Sequence, residues 1–175
     1  MTEKTILETP RLFLREMAQS DFHALAAIIQ DEQTMHAYEG AFNDADTQKW
    51  LEKNLARYRE DGFGLWAVAL KSGGEMIGQT GITWQDVDGE RVPEIGYLFN
   101  RSHWGNGYAT EAAVACKRHG FDTLGFGEMF SIVRDTNIAS MNVAIRNGMV
   151  ARKWIGRHFR GVAMRHFVFS VKRSF

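Results

Sequence analysis

The chain has 175 residues, with 21 Lys plus Arg against 21 Asp plus Glu, so its formal net charge at pH 7 is zero. This length predicts one domain over residues 1–175 with a substantial core. Zero net charge gives no general attraction to polyanions, so we expect neither a nucleic acid nor a membrane as partner. No apolar stretch approaches the roughly 20 residues that span a bilayer, and we expect a cytoplasmic protein.

The cysteine and histidine content bears on disulfides and metals. Cys116 has no second cysteine with which to form an internal disulfide, which fits a reducing compartment, and its helical context favours a small buried residue. None of the six histidines is spaced with Cys, Asp or Glu as in a metal cage, so we expect no metal.

Hydrophobic periodicity and turn signals predict the order of the secondary-structure elements. In chain order we predict a strand over residues 7–16 with Pro10 at an edge or bend, a helix capped by Ser20 or Asp21 that continues through residue 29, a helix from Asp44 to the stop signal at 61–62, strands over 63–70, 75–84 and 92–99, a helix that ends between 120 and 127, a strand over 128–133, a helix over 138–146, and strands over 149–157 and 161–171. This order predicts an α/β (α+β) domain with a mixed, mostly antiparallel sheet of about seven strands and about four helices.

A glycine turn joins the strand that ends at Phe99 to an alanine-rich helix. Residues 101–113 read R-S-H-W-G-N-G-Y-A-T-E-A-A. The first turn of a helix carries free backbone N–H groups and the positive end of the helix dipole, and glycines let a bulky anion approach. The turn therefore predicts a site for a phosphate-bearing ligand, although short glycine patterns are also common in ordinary strand-to-helix connections.

Two segments together resemble the acetyl-CoA-binding core of the GNAT N-acetyltransferases. They are residues 94–112, which contain the glycine turn, and residues 135–149, D-T-N-I-A-S-M-N-V-A-I-R-N-G-M. The similarity is to the branch that includes the ribosomal-protein N-terminal alanine and serine acetyltransferases, and the opening T-P-R-L-F-L-R of residues 9–15 resembles that branch as well.

The resemblance implies acetyl-CoA as cosubstrate and assigns residues to it. The loop whose backbone amides hold the CoA pyrophosphate corresponds to Gly105, Asn106, Gly107, Tyr108, Ala109 and Thr110. Backbone groups of Leu98 and Phe99 match those that pair with the pantetheine arm, and Asn137 matches the amide side chain directed at the same arm.

The chain departs from the family pattern at two positions. Trp104 stands where many members begin the loop with Gln or Arg, which leaves the backbone cradle intact and removes a polar contact. Ala144 stands where members often carry the tyrosine that protonates the departing thiolate. The ribosomal branch places a serine three residues after the asparagine, so the resemblance makes Ser140 the candidate proton donor; the alternative is a helix cap or a hydroxyl bonded to its own turn.

Acetyl transfer also needs a neutral amine. An α-amine with a pKa near 8 is about one-tenth neutral at pH 7, whereas a lysine at about 10.4 is neutral in fewer than one molecule per thousand. A weak or water-relayed base then suffices, and Glu94 at the start of the cofactor strand is our candidate, since partial burial raises a carboxyl pKa. The alternative is a carboxylate that bonds neighbouring backbone or pairs with an arginine such as Arg91.

The acceptor is not encoded in a motif that we can read. Aromatic residues on amphipathic elements are usually core, so we assign none of Tyr38, Phe42, Trp50, Phe63, Trp66 and Trp84 to an acceptor cleft. A solvated strand face is the simplest interpretation of Arg157, His158, Arg160 and Arg165.

Three functions are compatible with these features to different degrees. The first is an acetyl-CoA-dependent N-acetyltransferase acting on a small-molecule amine or a protein N-terminus. The second is a catalytically weak CoA-binding sensor or interaction module, motivated by Ala144. The third, a dinucleotide-binding oxidoreductase, is disfavoured because Thr110 replaces the last glycine of the G-x-G-x-x-G pattern and repeated βαβ units do not precede the turn.

Overall fold

One open, mixed β-sheet organises the fold. The structure is a computed structural model and describes residues 4–174. In chain order its strands and α-helices are β1 (Thr5–Glu8), β2 (Leu12–Arg15), α1 (Phe22–Ile29), α2 (Asp44–Glu60), β3 (Leu65–Leu70), β4 (Met76–Val87), β5 (Glu90–Phe99), α3 (Tyr108–Asp122), β6 (Glu128–Arg134), α4 (Ile138–Arg146), β7 (Val150–Phe159) and β8 (Val162–Lys172). Within this part of the chain, no helix is long and apolar enough to cross a bilayer.

The sheet contains a fork between β5 and β6. Its strand order is β1-β2-β3-β4-β5-β6-β8-β7, and every neighbouring pair is antiparallel except β5 with β6. These two strands pair only at Glu94 and Phe130, beside which the Ser131 hydroxyl donates to the Ile95 carbonyl at 2.8 Å. Beyond this point a cavity lies between the strands, so β5 over residues 96–98 has no strand partner on that side within the described chain.

The helices cover both faces of the sheet. Successive β3 side chains point to opposite faces, so Trp66 and Val68 join one buried cluster while Leu65 and Ala67 join another. The first cluster includes buried residues of α3 and α4, and the second includes buried residues of α1 and α2. The predicted α/β class with a mixed, mostly antiparallel sheet is confirmed.

Helix α3 lies very close to the sheet because small residues face it. Ala112, Ala113 and Cys116 are fully buried, and a Cβ at Gly120 would come within 2.6 Å of the Met129 sulfur. Cys116 is therefore the small buried residue that its pattern predicts, and burial raises the pKa of its thiol to about 12.

The N-terminal segment differs from the prediction. Residues 7–16 were expected to form one strand, but they belong to the hairpin of β1 and β2, with Pro10 in the connecting turn. The turn is closed by Thr9, whose hydroxyl accepts from the Leu12 amide at 3.0 Å. The described sheet consequently has eight strands rather than about seven.

The predicted starts of the first two helices are confirmed. Asp21 occupies the cap position of α1, but its carboxylate forms no cap hydrogen bond. It instead accepts hydrogen bonds from both terminal nitrogens of the Arg15 guanidinium, each at 2.8 Å. Helix α2 starts at Asp44 as predicted, and its cap is Asn43, whose side chain accepts from the Asp46 amide at 2.8 Å.

Candidate active site

A cavity of about 370 Å³ opens at the fork of the sheet. One wall is formed by β5 over residues 94–98 and the other by β6 over residues 131–134 and the start of α4. Side chains from α2, β7 and β8 line the end near Glu94. The cavity therefore joins the cofactor strand predicted from sequence to a second region that the sequence did not identify.

The glycine turn directly follows β5 and leaves its backbone donors free. Gly105 and Gly107 both have φ of +79°, a left-handed conformation that glycine adopts at little cost. No backbone N–H from Gly105 to Thr110 donates to any described group, and the first internal bond is that of Glu111 to the Gly107 carbonyl at 3.0 Å. Space is open at Gly105, where nothing lies within 4 Å of an added Cβ, whereas a Cβ at Gly107 would lie 3.6 Å from Arg11 Nη2. Six consecutive donors at a helix N-terminus form a cradle for an anion.

Arg11 and Glu111 hold this turn in place. The Glu111 carboxylate accepts from the Thr9 hydroxyl at 2.6 Å, from the Arg11 amide at 3.0 Å and from Arg11 Nε at 2.7 Å. Arg11 in turn donates from Nη1 to the Asn106 carbonyl at 2.9 Å and lies over the Tyr108 ring. Because Arg11 bonds the Asn106 carbonyl, it does not occupy the backbone amides of the turn. We refer to this group as the Arg11 bridge.

The strand end and the turn are tied together by Trp104. Its indole nitrogen donates to the Phe99 carbonyl at 2.8 Å. Leu98 lines the cavity. The Phe99 ring is instead buried against Gly78, where a Cβ would lie 2.5 Å from it.

Glu94 lies where the two strands separate. Its Oε1 accepts from the Ile132 amide at 3.1 Å, and its side chain lines the cavity. Burial raises the pKa of this carboxyl, while Arg157, the Ile132 amide and Arg57 act in the opposite direction. Arg91 pairs with Asp61 at 3.1 Å rather than with Glu94.

The first turn of α4 brings Asn137 and Ser140 to the opposite wall. Asn137 caps the helix, since its Oδ1 accepts from the Ser140 amide at 3.2 Å, and Ser140 is not the cap. The Tyr97 hydroxyl, which sequence reasoning missed, donates to the Ser140 carbonyl at 2.7 Å. Burial and the Glu94 charge raise the pKa of Tyr97, so it stays protonated. Ala144 is buried and carries no hydroxyl.

Aromatic side chains form one corner of the cavity near Glu94. Tyr38, Trp50 and Phe159 all line it, and the Tyr38 ring packs edge-on against Trp50 at 5.9 Å and against Phe159 at 5.8 Å between centroids. The Trp50 indole donates to Gln79 Oε1 at 3.0 Å. Tyr38 and Trp50 were left unassigned from sequence, because helical spacing alone does not distinguish a core aromatic residue from one that lines a cleft.

Cationic side chains line the same end of the cavity. Arg157 lines it and is only partly exposed, so the expectation of a solvated strand face is wrong for this residue, whereas His158 also borders the cavity but is exposed. Arg57 and Lys53 on α2 lie opposite. No local signal in the sequence identifies them, because strands and a helix far apart in the chain bring them together.

The described residues contain no group of three or more His, Cys, Asp or Glu side chains that could hold a metal ion. The absence of a metal stays a prediction.

Comparison with known proteins identifies the family. The family model of the acetyltransferase (GNAT) domain matches residues 11–150. The chain is 40% identical to Uncharacterized protein YkkB of Bacillus subtilis (strain 168), over 88% of this chain and 92% of that protein. It therefore belongs to the GNAT acetyltransferase family and is an acyltransferase.

Solved structures agree with this assignment. An acetyltransferase from Agrobacterium tumefaciens str. C58 superimposes with a TM-score of 0.81 at 30% identity, covering 99% of this chain and 96% of that one. RimL, a ribosomal L7/L12 alpha-N-protein acetyltransferase solved with coenzyme A, gives a TM-score of 0.78 at 17% identity over 97% and 98% of the two chains. At that identity the second comparison establishes the shared fold alone.

Proposed function

We propose that residues 1–175 form one N-acetyltransferase domain that moves an acetyl group from acetyl-CoA to a primary amine by direct attack in a ternary complex. Members of the GNAT family use acetyl-CoA, and the acceptor is either a small-molecule amine or a protein N-terminal α-amine. The observation that carries the proposal is the run of free backbone amides from Gly105 to Thr110, next to a cavity that contains Glu94 and Ser140.

The donor would bind along β5 and the glycine turn. The amides from Gly105 to Thr110 would hold the pyrophosphate, since each donor lacks a partner among the described residues and the helix dipole favours an anion. The unpaired edge of β5 at Leu98 and the Asn137 amide nitrogen would bond the pantetheine arm. A backbone N–H of this edge would also stabilise charge that develops on the thioester oxygen.

Glu94 would act as the base. The amine nitrogen forms a bond to the acetyl carbon, and the carbon–sulfur bond breaks. The amine proton passes to the Glu94 carboxylate, directly or through water, because a carboxyl with a raised pKa accepts protons more readily than an ordinary one.

Ser140 would deliver a proton to the departing sulfur. With Ala144 in place of a tyrosine, Ser140 is the residue of α4 that brings a hydroxyl to the described cavity. The Ser140 hydroxyl passes its proton to the thiolate and takes one from solvent. Tyr97 bonds the Ser140 carbonyl and so holds the first turn of α4 in position.

A thiol-release assay with acetyl-CoA tests the proposal. The acceptors are N-terminal peptides, amino acids, polyamines and aminoglycosides, and the variants are Ser140→Ala, Glu94→Gln and the exposed control Asn142→Ala on the same helix. We expect each of the first two to lower kcat about 100-fold while CoA affinity is kept, and the control to match the wild type. Full rates in both would refute these side-chain roles.

The alternative is a CoA-binding sensor with little turnover. Saturable binding of acetyl-CoA in calorimetry without thiol release for any acceptor would favour it. A failure to bind coenzyme A at all would refute both functions.

A further inference from the structure

The end of the cavity near Glu94, which we call the acceptor end, carries more positive than negative charge. Arg57 donates from Nη1 to the Asn54 amide oxygen at 3.1 Å, and Arg157 donates from Nη2 to the Asp86 carbonyl at 3.1 Å. Neither guanidinium forms an ion pair with a carboxylate of residues 4–174, and the same is true of Lys53.

The other ionisable groups of this region add little net charge. Asp61, whose charge acts on Arg57, forms an ion pair with Arg91 at 3.1 Å. Arg134 is neutralised by its ion pair with Glu39 at 2.5 Å. Burial and the nearby Arg157 lower the pKa of His166, so it is neutral at pH 7. Glu94 is the one carboxylate that lines the described cavity, so a single negative charge faces the positive charges of Arg57, Arg157 and Lys53.

Arg57 and Arg157 are partly buried, and the single charge of Glu94 acts on both of them. A guanidinium that loses part of its hydration without a full compensating charge is disfavoured. Burial does lower the pKa of Arg57. Arginine forms its strongest hydrogen bonds with carboxylates and phosphates, which match its planar fork of donors. The arrangement is therefore complementary to an anion that arrives with the substrate.

From this charge arrangement we infer that the acceptor is an amine that also carries a carboxylate, which Arg57 and Arg157 bind. The inference rests on the proposed function and names its substrate class. The carboxylate belongs either to a free amino acid or to an acidic residue close to a peptide's N-terminus. A polyamine or an aminoglycoside, which carries only positive charge, is disfavoured.

The same charges assist the reaction. Positive charges near an ammonium group lower its pKa and so raise the fraction of neutral, nucleophilic amine. A substrate with an amine alone would be repelled by this field. A carboxylate on the acceptor offsets the repulsion, so the amine can approach Glu94.

The test compares acids with their amides in the thiol-release assay. One arm uses free amino acids and their carboxamides, and the other uses peptides whose second residue is aspartate or asparagine. KM is calculated from the concentration of the neutral amine, so that differences in amine pKa between substrates do not affect the comparison. We expect the acid to have a KM at least about tenfold lower than its amide in one arm, and that arm identifies the source of the carboxylate.

Variants assign the preference to the two arginines. Arg57→Gln and Arg157→Gln should each remove most of the acid preference without changing CoA affinity, which also reports that the variant is folded. Arg57→Lys should restore part of the preference. The control is Arg59→Gln, an exposed residue on the same helix that does not line the cavity, and it should keep the full preference.

The outcomes separate this inference from the proposed function. Turnover with equal KM for acids and amides in both arms would overturn the inference and leave the acetyltransferase in place. An acid preference that survives both glutamine variants would overturn the role of these arginines. Binding of coenzyme A without turnover of any acceptor would overturn the proposed function and the inference with it.

Discussion

Replacing Glu111 with glutamine tests whether the Arg11 bridge organises the cofactor loop. The substitution keeps the size of the side chain but removes the charge that accepts from the Thr9 hydroxyl, the Arg11 amide and Arg11 Nε. Hydrogen bonds to a charged group contribute ~1.5–3 kcal/mol when they are shielded from water. The Arg11 side chain is 46% exposed and that of Glu111 is 16% exposed, and an exposed ion pair contributes under ~1 kcal/mol.

We therefore expect Glu111→Gln to lower the free energy of unfolding by ~1.5 kcal/mol, or roughly 5 °C in Tm. Burial opposes the ionisation of Glu111, but the hydrogen bonds from Thr9 and Arg11 outweigh it and lower its pKa. The carboxylate thus stabilises the fold above the unfolded-state pKa of about 4.3, and this contribution is lost as the pH falls through the lower folded-state value. The difference between variant and wild type should accordingly be full at pH 7 and shrink in acid.

Urea unfolding and calorimetry with coenzyme A are the assays. Loss of the bridge should also weaken CoA binding, by about fivefold for each ~1 kcal/mol of loop ordering that binding must then supply. Glu8→Gln is the control, because Glu8 forms an exposed ion pair with Lys71 on the neighbouring turn and should change stability by less than ~0.5 kcal/mol. A double-mutant cycle with Arg11→Gln that gives a coupling below ~0.3 kcal/mol, together with unchanged CoA affinity, would refute the reasoning.

Three further predictions concern the loop, the base and the thiol. Gly105→Ala should lower the free energy of unfolding in urea by ~1–2 kcal/mol and weaken CoA binding in calorimetry, because φ at this position is +79°. The control is Gly73→Ala, which should be tolerated because this glycine also lies in open space but has no positive φ. Equal effects of the two substitutions would contradict this explanation. The acid limb of the pH profile of kcat/KM should have its midpoint above 4.5, since burial raises the pKa of Glu94, and Glu94→Gln should flatten that limb; a limb that persists in the variant assigns it to another group. Cys116 should not react with a disulfide reagent in the native protein and should give one equivalent in urea, because its thiol is buried with a pKa of about 12; a rapid native reaction would show that α3 opens.

The parts of the fold that local signals specify were predictable from sequence. Helix α4 spans Ile138–Arg146 as predicted, because the Asn137 cap and the turn at residues 147–148 lie beside it in the chain. The glycine turn was readable for the same reason, since two left-handed glycines and a helix start occupy consecutive positions. The hairpin of β1 and β2 was missed because alternation continues on both sides of Pro10, so the pattern resembles one strand.

The acceptor end of the candidate site could not be predicted, since no local pattern describes it. Arg57 belongs to a helix and Arg157 to a strand 100 positions later, and only the tertiary fold brings both to one cavity. Tyr97 was missed for a related reason. Its hydrogen bond to Ser140 joins two elements whose separation depends on how far β5 and β6 diverge.

The divergence of these two strands constrains how this protein can change over evolution. The Ile132 amide of β6 donates to the Glu94 carboxylate instead of to a backbone carbonyl of β5. The side chain proposed as the base therefore also connects the two strands. A substitution that shortens this side chain would alter the spacing of the walls together with the chemistry. We therefore expect substitutions that change the accepted amine to occur in α2, β7 and β8, while the residues at the fork between β5 and β6 stay unchanged.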